Sequence, residues 1–326
     1  RRSIRRSWQG ALGFASKLLS PLVLPDHLDG IFRRILAFHA RRLQPDIAHV
    51  HRSSFVRAIP WCRQLGIVAV YTEHGTPSAR DPWPSRKLEA LDAADRLTAL
   101  SQDGKRGLQE ATGYDRPVDV IRTPVPDPYP DDAAPEFRER DSVIVTYVGR
   151  LVPGKMVDLL LQACKEVIST YPSVEVQIVG TGPEREHLVQ EAERLGIASH
   201  VTFRGHVDNE AVPSIIRSTD IFVLASRSEG FGIVVVIAMA CAVPIVVTPV
   251  GVSTEVLEDR VSAILVKPGS SDELADAIEE LVANPRLRRE MGERARLAYE
   301  RNGFSPQHIV NQVLRSYRVA TSWEKA

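Results

Sequence analysis

The chain has 326 residues, 44% of them hydrophobic and 25% charged, with Lys+Arg and Asp+Glu balanced at 41 each. That length supports two domains with their own cores. No apolar run reaches the ~18–20 residues of a membrane span, and the balanced charge leaves no overall basic footprint for nucleic acid.

The first stretch is RRSIRRSWQGALGFASKLLSPLVLP, with four arginines among apolar residues. Two readings stay open. One is a basic amphipathic contact with an anionic membrane surface, which would put the protein peripherally at the inner membrane face. The other is a solvated helix face. A secretory signal does not fit, because no compact cleavage site follows the apolar part. The chain lacks an initiator Met, so residues upstream are expected to be missing. Cys62, Cys164 and Cys241 lie far apart with no C-x-x-C pair, which argues against a disulfide framework or a zinc site and fits a reducing, cytoplasmic setting.

Short β-branched runs then predict strands at 46–51 (DIAHVH), 66–73 (GIVAVYTE), 95–101 (DRLTALS) and 118–123 (VDVIRT), with helical patterns such as PSRKLEALDAA between them. His49 and His51 fall on one face of the first strand, since side chains alternate; a metal pair there is weighed against a packed strand end, and the packed end is preferred. Five prolines between 124 and 135 forbid both helix and central strand. We read residues 124–140 as a linker. The alternation restarts with strands at 142–149, 174–180, 200–205, 220–226, 243–249 and 262–266. Ser270 and Glu273 are spaced as a capping box ahead of a helix that should stop before Pro285. Ser305 and Pro306 open a last helix. Near-continuous apolar strands alternating with helices predict parallel sheets covered on both faces, hence two doubly wound α/β units with a ligand cleft between them.

Three loops are candidates for binding phosphate. Gly149, Gly154 and Lys155 match G-x-x-x-x-G-K after the strand at 142–149, but Met156 stands where a P-loop needs Ser or Thr, and the strand at 220–226 ends without an acidic residue. Arg150 and Lys155 remain as two cations able to hold a diphosphate, against the plainer reading of two solvated surface cations. Gly180 and Gly182 begin a G-x-G-x-x-G that Arg185 breaks, so a tight strand-to-helix turn is preferred to a dinucleotide site. The third loop is SEGFGIVVVIAMACAVP at 228–244. Gly230 and Gly232 bracket Phe231, and the apolar run from Ile233 to Cys241 reads as a buried helix whose first N–H groups could meet an anion. Glu229 would repel a phosphate and is suited to accept from hydroxyls. A diphosphate flanked by hydroxyl-rich rings, as in a nucleotide sugar, satisfies both needs.

Together VGRLVPGK, VGTGPE, SEGFGIVVVIAMACAVPIVVTPVG and TEHG resemble the retaining, nucleotide-sugar-dependent glycosyltransferases of family 4 (group 1), which have the GT-B fold. The resemblance covers roughly residues 44–320. It implies two Rossmann-like domains facing a central cleft: an acceptor-side domain at 1–123, the Pro-rich linker at 124–140, a nucleotide-sugar-binding domain at 141–304, and a last helix at 305–326 that could cross back to the first domain. It also implies sugar transfer from a UDP- or GDP-sugar to a hydroxyl acceptor (a glycan, a lipid-linked glycan or a small molecule), with no metal and no separate cofactor. By position, His74, Arg150, Lys155 and Glu229 would form the reaction centre. Gly149, Val207, Gly230, Phe231, Gly232, Ile233 and the position of Ile237 would line the donor site.

The departures from the family cluster near that site. Ile237 replaces a second glutamate, eight positions after Glu229, that would grip the ribose diol; a charge-assisted hydrogen bond of that kind is worth ~1.5–3 kcal/mol. Met156 stands where Gly is usual, Ala242 where CGVP is usual, and Val252 where GG is common. The turn RTPVPD replaces the usual Pro-Asn-Gly. The family's opening strand and Gly-rich loop are not recognisable before residue 44, so the N-terminal domain reads as truncated. Two functional hypotheses follow: an active glycosyltransferase, and a non-catalytic module that keeps the fold for binding. A sugar-nucleotide epimerase on the same architecture is a third, opposed by the EGFG loop and the Arg150–Lys155 pair.

Overall fold

The computed structural model describes residues 29–51, 53–75, 85–129 and 142–322. The basic stretch at 1–25, linker residues 130–140 with residue 141, and the last four residues lie outside the described residues. No helix among the described residues is long and apolar enough to cross a membrane.

After helix α1 (Asp29–Leu43), the N-terminal unit alternates β1 (Ile47–His51), α2 (Ile59–Gln64), β2 (Val68–Glu73), α3 (Ser85–Asp92), β3 (Arg96–Ala99), α4 (Gln102–Thr112) and β4 (Val118–Val120). Its four strands are all parallel, in the order β1-β2-β3-β4. All six residues of β2 are buried, as a central strand covered on both faces requires. Alternation decides which layer each side chain joins. Ala69 and Tyr71 pack with Ile59, Leu91, Leu97 and Leu108. Val68 and Val70 point the other way, onto Ala320 and Tyr317.

Those last two residues belong to α12 (Pro306–Ser322), the C-terminal helix. The helix therefore returns to the N-terminal sheet and covers a face that would otherwise expose Val68 and Val70, each worth about 1.5–3 kcal/mol when buried. Ser316 Oγ on α12 also donates to Asp119 of β4 at 3.1 Å.

The C-terminal unit runs β5 (Val143–Val148), α5 (Val157–Thr170), β6 (Val174–Val179), α6 (Arg185–Arg194), β7 (Val201–Gly205), α7 (Val212–Arg217), β8 (Ile221–Leu224), α8 (Ile233–Ala240), β9 (Ile245–Val247), α9 (Ser253–Val256), β10 (Ile264–Leu265), α10 (Ser271–Ala283) and α11 (Pro285–Arg301). Its six parallel strands are ordered β10-β9-β8-β5-β6-β7. The chain builds outward from β5 to β7, then returns to place β8 on the other side of β5. The boundary between β5 and β8 is thus the topological switch point, where loops leaving the strand ends diverge and open a crevice.

The expected caps form, with two refinements. Ser270 Oγ accepts from the Glu273 N–H at 3.2 Å, but the Glu273 carboxylate turns to Lys267 instead of closing the box. Pro285 does not merely end α10; it opens α11 behind an Asn284 cap, whose side chain accepts from the Leu287 N–H at 3.0 Å.

Residues 124–129 form a strap fastened to the C-terminal unit. Prolines 124, 126 and 128 alternate with Val125, Asp127 and Tyr129, and the strap is held by those three residues and by Arg217, which donates to Pro128 O at 3.3 Å. The Val125 N–H donates to Phe304 O at 2.9 Å, and Tyr299 Oη donates to Val125 O at 2.9 Å. Arg296 pairs with Asp127 at 2.6 Å and holds that carboxyl below the usual range. Tyr129 Oη donates to Cys241 O at 3.3 Å.

Two of the departures have a backbone cost. Met156 (φ 51°) and Ala242 (φ 55°) are both left-handed, the region glycine tolerates, whereas Val252 has a helical φ of −68°. An L-residue there costs about 1–2 kcal/mol, offset by about 0.4–1 kcal/mol of extra freedom that glycine gives the unfolded chain. Ala242 has little side chain to lose, so Ala242→Gly is expected to stabilise the protein by about 0.5–1 kcal/mol. Met156 is buried (7% exposed), and trimming it forfeits about 2–5 kcal/mol of packing, so Met156→Gly should destabilise despite the relieved strain. Denaturant midpoints of the two variants check the opposite signs.

Candidate active site

The site is built from the carboxyl ends of five strands, β5 and β8 from one sheet and β1, β2 and β3 from the other. From β5 the chain passes Gly149 and Arg150 into a 3₁₀ turn at Pro153–Lys155. From β8 it passes Ser226 to Glu229, Gly230, Phe231 and Gly232, and α8 begins at Ile233. These two loops face each other across the switch point and are tied by the Arg227 N–H to Gly154 O bond at 2.9 Å.

Lys155 Nζ contacts Glu229 Oε1 at 2.5 Å, and Ser226 Oγ donates to the same oxygen at 2.6 Å. The pair is largely shielded, with side-chain exposures of 22% and 13%. An ammonium has three N–H donors, so one spent on Glu229 leaves others for a second anion while the carboxylate fixes where the charge sits. Arg150 is exposed, and its guanidinium has no hydrogen bond or ion pair among the described residues. Its carbonyl accepts from Tyr147 Oη at 2.9 Å, which pins the start of the loop. That buried phenol is pushed well above its ordinary range, first by burial and then by the Glu229 charge.

The VGTG turn holds this loop from behind. A Cβ on Gly180 would overlap Gly149 O, and one on Gly182 would overlap Leu151 O, both far inside the 3.0 Å limit of real Cβ contacts. These glycines serve the close approach of two backbone loops, in keeping with the tight turn read from sequence.

In the Glu229 loop, Phe231 is buried (5%) with its ring edge toward Phe304 at 6.3 Å, and its carbonyl accepts from the Val252 N–H at 2.8 Å. The aromatic side chain is an anchor, so Phe231 could meet a ligand only through its backbone. Gly232 (φ 88°) turns the chain into α8, whose first N–H groups lie at this end of the sheet. Ile233 is exposed at 44% on the first turn. Ile237, one turn further, is half-buried against the core, and so is Val207 beyond β7.

The N-terminal unit supplies the opposite wall. Glu73, buried at the end of β2, accepts from Tyr71 Oη at 2.6 Å and from the Gly75 N–H at 2.7 Å, which forms the turn carrying His74. That turn presses on the Glu229 loop: a Cβ on Gly230 would overlap His74 O. Ser101, after β3, accepts from the Gly104 N–H at 2.9 Å as the cap of α4 and donates to Gly230 O at 3.1 Å. Glu255 on α9 accepts from the Gln102 N–H at 2.6 Å and from Arg122 at 3.0 Å, a second clasp between the units.

His74 Nε2 lies 2.8 Å from His51 Nδ1. His49 is held elsewhere, with Nδ1 at 2.7 Å from Tyr317 Oη and Nε2 at 2.6 Å from Thr72 Oγ1. Both nitrogens of His49 are thus engaged in packing the strand end. Among the described residues no group of three or more His, Cys, Asp and Glu side chains is arranged to hold a metal. The three cysteines are buried and unpaired, and burial pushes the thiols up to about 11 for Cys62 and about 12 for Cys164 and Cys241.

The structure therefore brings Lys155, Glu229, Gly230, Gly232 and His74 to one crevice with Arg150 at its edge. Sequence reasoning missed Glu73, Ser101, Ser226, Arg122 and Glu255. Glu73 and Ser226 stand in or beside quoted motifs and Arg122 opens the RTPVPD turn, where sequence could have drawn the eye; Ser101 and Glu255 carried no such signal.

Comparison with known proteins bears on this crevice. The family profile of the group 1 glycosyl transferases matches residues 130–298, more than half of the chain. The chain belongs to the group 1 glycosyl transferases. The profile of glycosyltransferase family 4 matches residues 13–127. A D-inositol 3-phosphate glycosyltransferase from Rhodococcus erythropolis is 30% identical over 285 residues, 78% of this chain and 63% of that protein, so the chain spans less than two thirds of that relative's length. A GDP-mannose-dependent alpha-(1-6)-phosphatidylinositol monomannoside mannosyltransferase from Mycolicibacterium smegmatis is 35% identical over 178 residues, 51% of this chain and 46% of that one. Among solved structures, Anabaena HepE in complex with UDP superposes with a TM-score of 0.76 at 22% identity, over 90% of this chain and 84% of that one. The two facing α/β units of this group 1 glycosyl transferase are the GT-B arrangement expected from its motifs.

Proposed function

We propose that the chain is a retaining glycosyltransferase that moves a sugar from a nucleoside diphosphate sugar to a hydroxyl acceptor. One observation carries the reading: Lys155 meets Glu229 across the switch point, beneath the His74 turn of the opposite unit. A cation and a hydroxyl-accepting carboxylate side by side suit a diphosphate joined to a sugar. The diphosphate would lie on Lys155, Arg150 and the start of α8, with Glu229 accepting from sugar hydroxyls and His74 facing the sugar.

These groups would act on the charge that grows on the leaving diphosphate as the glycosidic bond breaks. The acceptor hydroxyl would attack from the face the phosphate leaves, giving its proton to a phosphate oxygen, so the anomeric configuration is kept. The clasp at Ser101 and Glu255 would keep water out while this happens. The neutralising charges come from Arg150, Lys155 and the helix start, so we propose that no metal takes part.

Calorimetric titration with UDP, GDP and ADP in the presence of EDTA tests the donor site. Micromolar binding of one nucleotide is expected; binding of none would overturn the reading. Lys155→Ala should lower turnover by about 100-fold or more, as removal of other charge-stabilising donors does, and near-normal turnover would overturn its role.

Ile237 favours a second reading, a binding module without turnover. It presents no acceptor where a ribose diol would be gripped. Tight nucleotide binding without sugar transfer to any hydroxyl compound would support that alternative. For the acceptor, the basic N-terminal stretch and the phosphatidylinositol-linked substrate in the mannosyltransferase's name support a lipid-linked hydroxyl met at the cytoplasmic membrane face.

A further inference from the structure

The two histidines of β1 are spaced by one residue, so both rings leave the same face of the strand. Parallel pairing sets His51 beside Thr72, two residues before His74. This register brings the His51 ring to the reaction centre, at the start of the turn that Glu73 organises.

We propose that His51 is the positioning residue of that centre, and that its hydrogen bond to His74 Nε2 fixes both the proton and the ring plane of His74 against the donor sugar. The part of the proposal that concerns the sugar rests on the glycosyltransferase reading above.

Two imidazole nitrogens 2.8 Å apart require one N–H and one lone pair. A neutral histidine alone exchanges its proton between two nitrogens, and the partner of one nitrogen decides which keeps it. The contact therefore couples the two tautomers. His51 itself cannot swing away easily, because its ring stacks on His49 at 4.2 Å with an interplanar angle of 29°. His49 in turn is clamped at both nitrogens, by Tyr317 of α12 and by Thr72, which bonds Thr98 at 2.5 Å. A fixed stack thus runs from the C-terminal helix to the reaction centre. Burial, and then the neighbouring His74, hold His51 down to about 4, so it stays neutral and keeps a lone pair at working pH.

The test uses the full chain. His51 closes β1 with one side of its ring against His49 and His74 and the rest open to solvent, so His51→Ala removes no core side chain and is expected to fold. Its kcat should fall about ten-fold, the rate equivalent of one neutral hydrogen bond, with the donor KM and the nucleotide Kd nearly unchanged. In 15N-labelled protein the His74 ring should show a single neutral tautomer, and the balance of tautomers should shift in His51→Ala. His51→Asn, which carries an amide where Nδ1 stood, should restore both readings; His51→Gln should not. An unchanged His74 tautomer in His51→Ala would overturn the proposal, whatever happens to kcat. If the wild-type chain turns over no nucleotide sugar yet His74 shifts as expected, the positioning stands and the glycosyltransferase reading fails.

Discussion

Gly230→Ala is expected to leave the proposed nucleotide binding in place and lower kcat/KM of the proposed transfer by about 100-fold, the scale of a displacement of about 1 Å at a reaction centre. Gly230 does not have a positive φ, so glycine is not needed there for its backbone freedom. It is needed because its α-carbon lies against the His74 carbonyl, where a methyl group would overlap the oxygen and also sit 3.2 Å from the Gly75 α-carbon. Both neighbours are backbone, and the His74 turn is braced by the buried Glu73 carboxylate, so neither can give way cheaply. The relief available is for the two units to part, which also breaks the Ser101 to Gly230 O bond. Lys155 and Glu229 belong to one unit and would keep their contact, so nucleotide affinity should survive. Scattering should then report a larger radius of gyration for the variant. Wild-type turnover in Gly230→Ala would mean that the proposed transfer does not need this closed contact.

The second large effect is acid sensitivity at His49. Burial, then the nearby His51 and His74, lower its pKa from 6.5 to about 3 in the folded chain. The unfolded chain binds a proton at this side chain once pH falls through about 6.5, while the folded ring stays neutral. Between those two values the unfolded state holds the extra proton. Stability therefore falls with falling pH, by up to about 1.4 kcal/mol per unit, until the loss is complete near the folded pKa. Tyr317 and Thr72 occupy both ring nitrogens, so on protonation the hydroxyl that donates to the ring would have to turn and accept instead. His49→Gln keeps a neutral polar group between the same partners. Its melting temperature should start below wild type at pH 7.5 and approach or overtake it by pH 5. Parallel curves for the two proteins would show that His49 titrates as an ordinary histidine. His51 remains in both proteins, so the difference between the curves isolates His49.

The strand and helix alternation was legible because it is local. Apolar runs such as VAVYTE and the caps at Ser270 and Ser305 need only their neighbours in sequence to be read. The EGFG loop, the GK turn and the TEHG turn were legible for a related reason: each glycine or charge is placed by the strand end it follows. Sequence by itself therefore determined two parallel α/β units, the loops that carry their chemistry, and the family they belong to.

Tertiary structure alone decided how those loops use one another. Lys155 and Glu229 were read as partners of different parts of one ligand, and the strand order β8-β5 places them in contact. Gly230 looked like a phosphate glycine, and its tightest neighbour is a carbonyl from the other unit. His49 and His51 looked like one pair, yet His49 serves the C-terminal helix across 268 residues of chain while His51 serves His74. The same reason covers all three cases. A strand's own sequence fixes which face a side chain takes, whereas its partner across a sheet, a crevice or a domain boundary is set by strand order and register, which no short window of sequence contains.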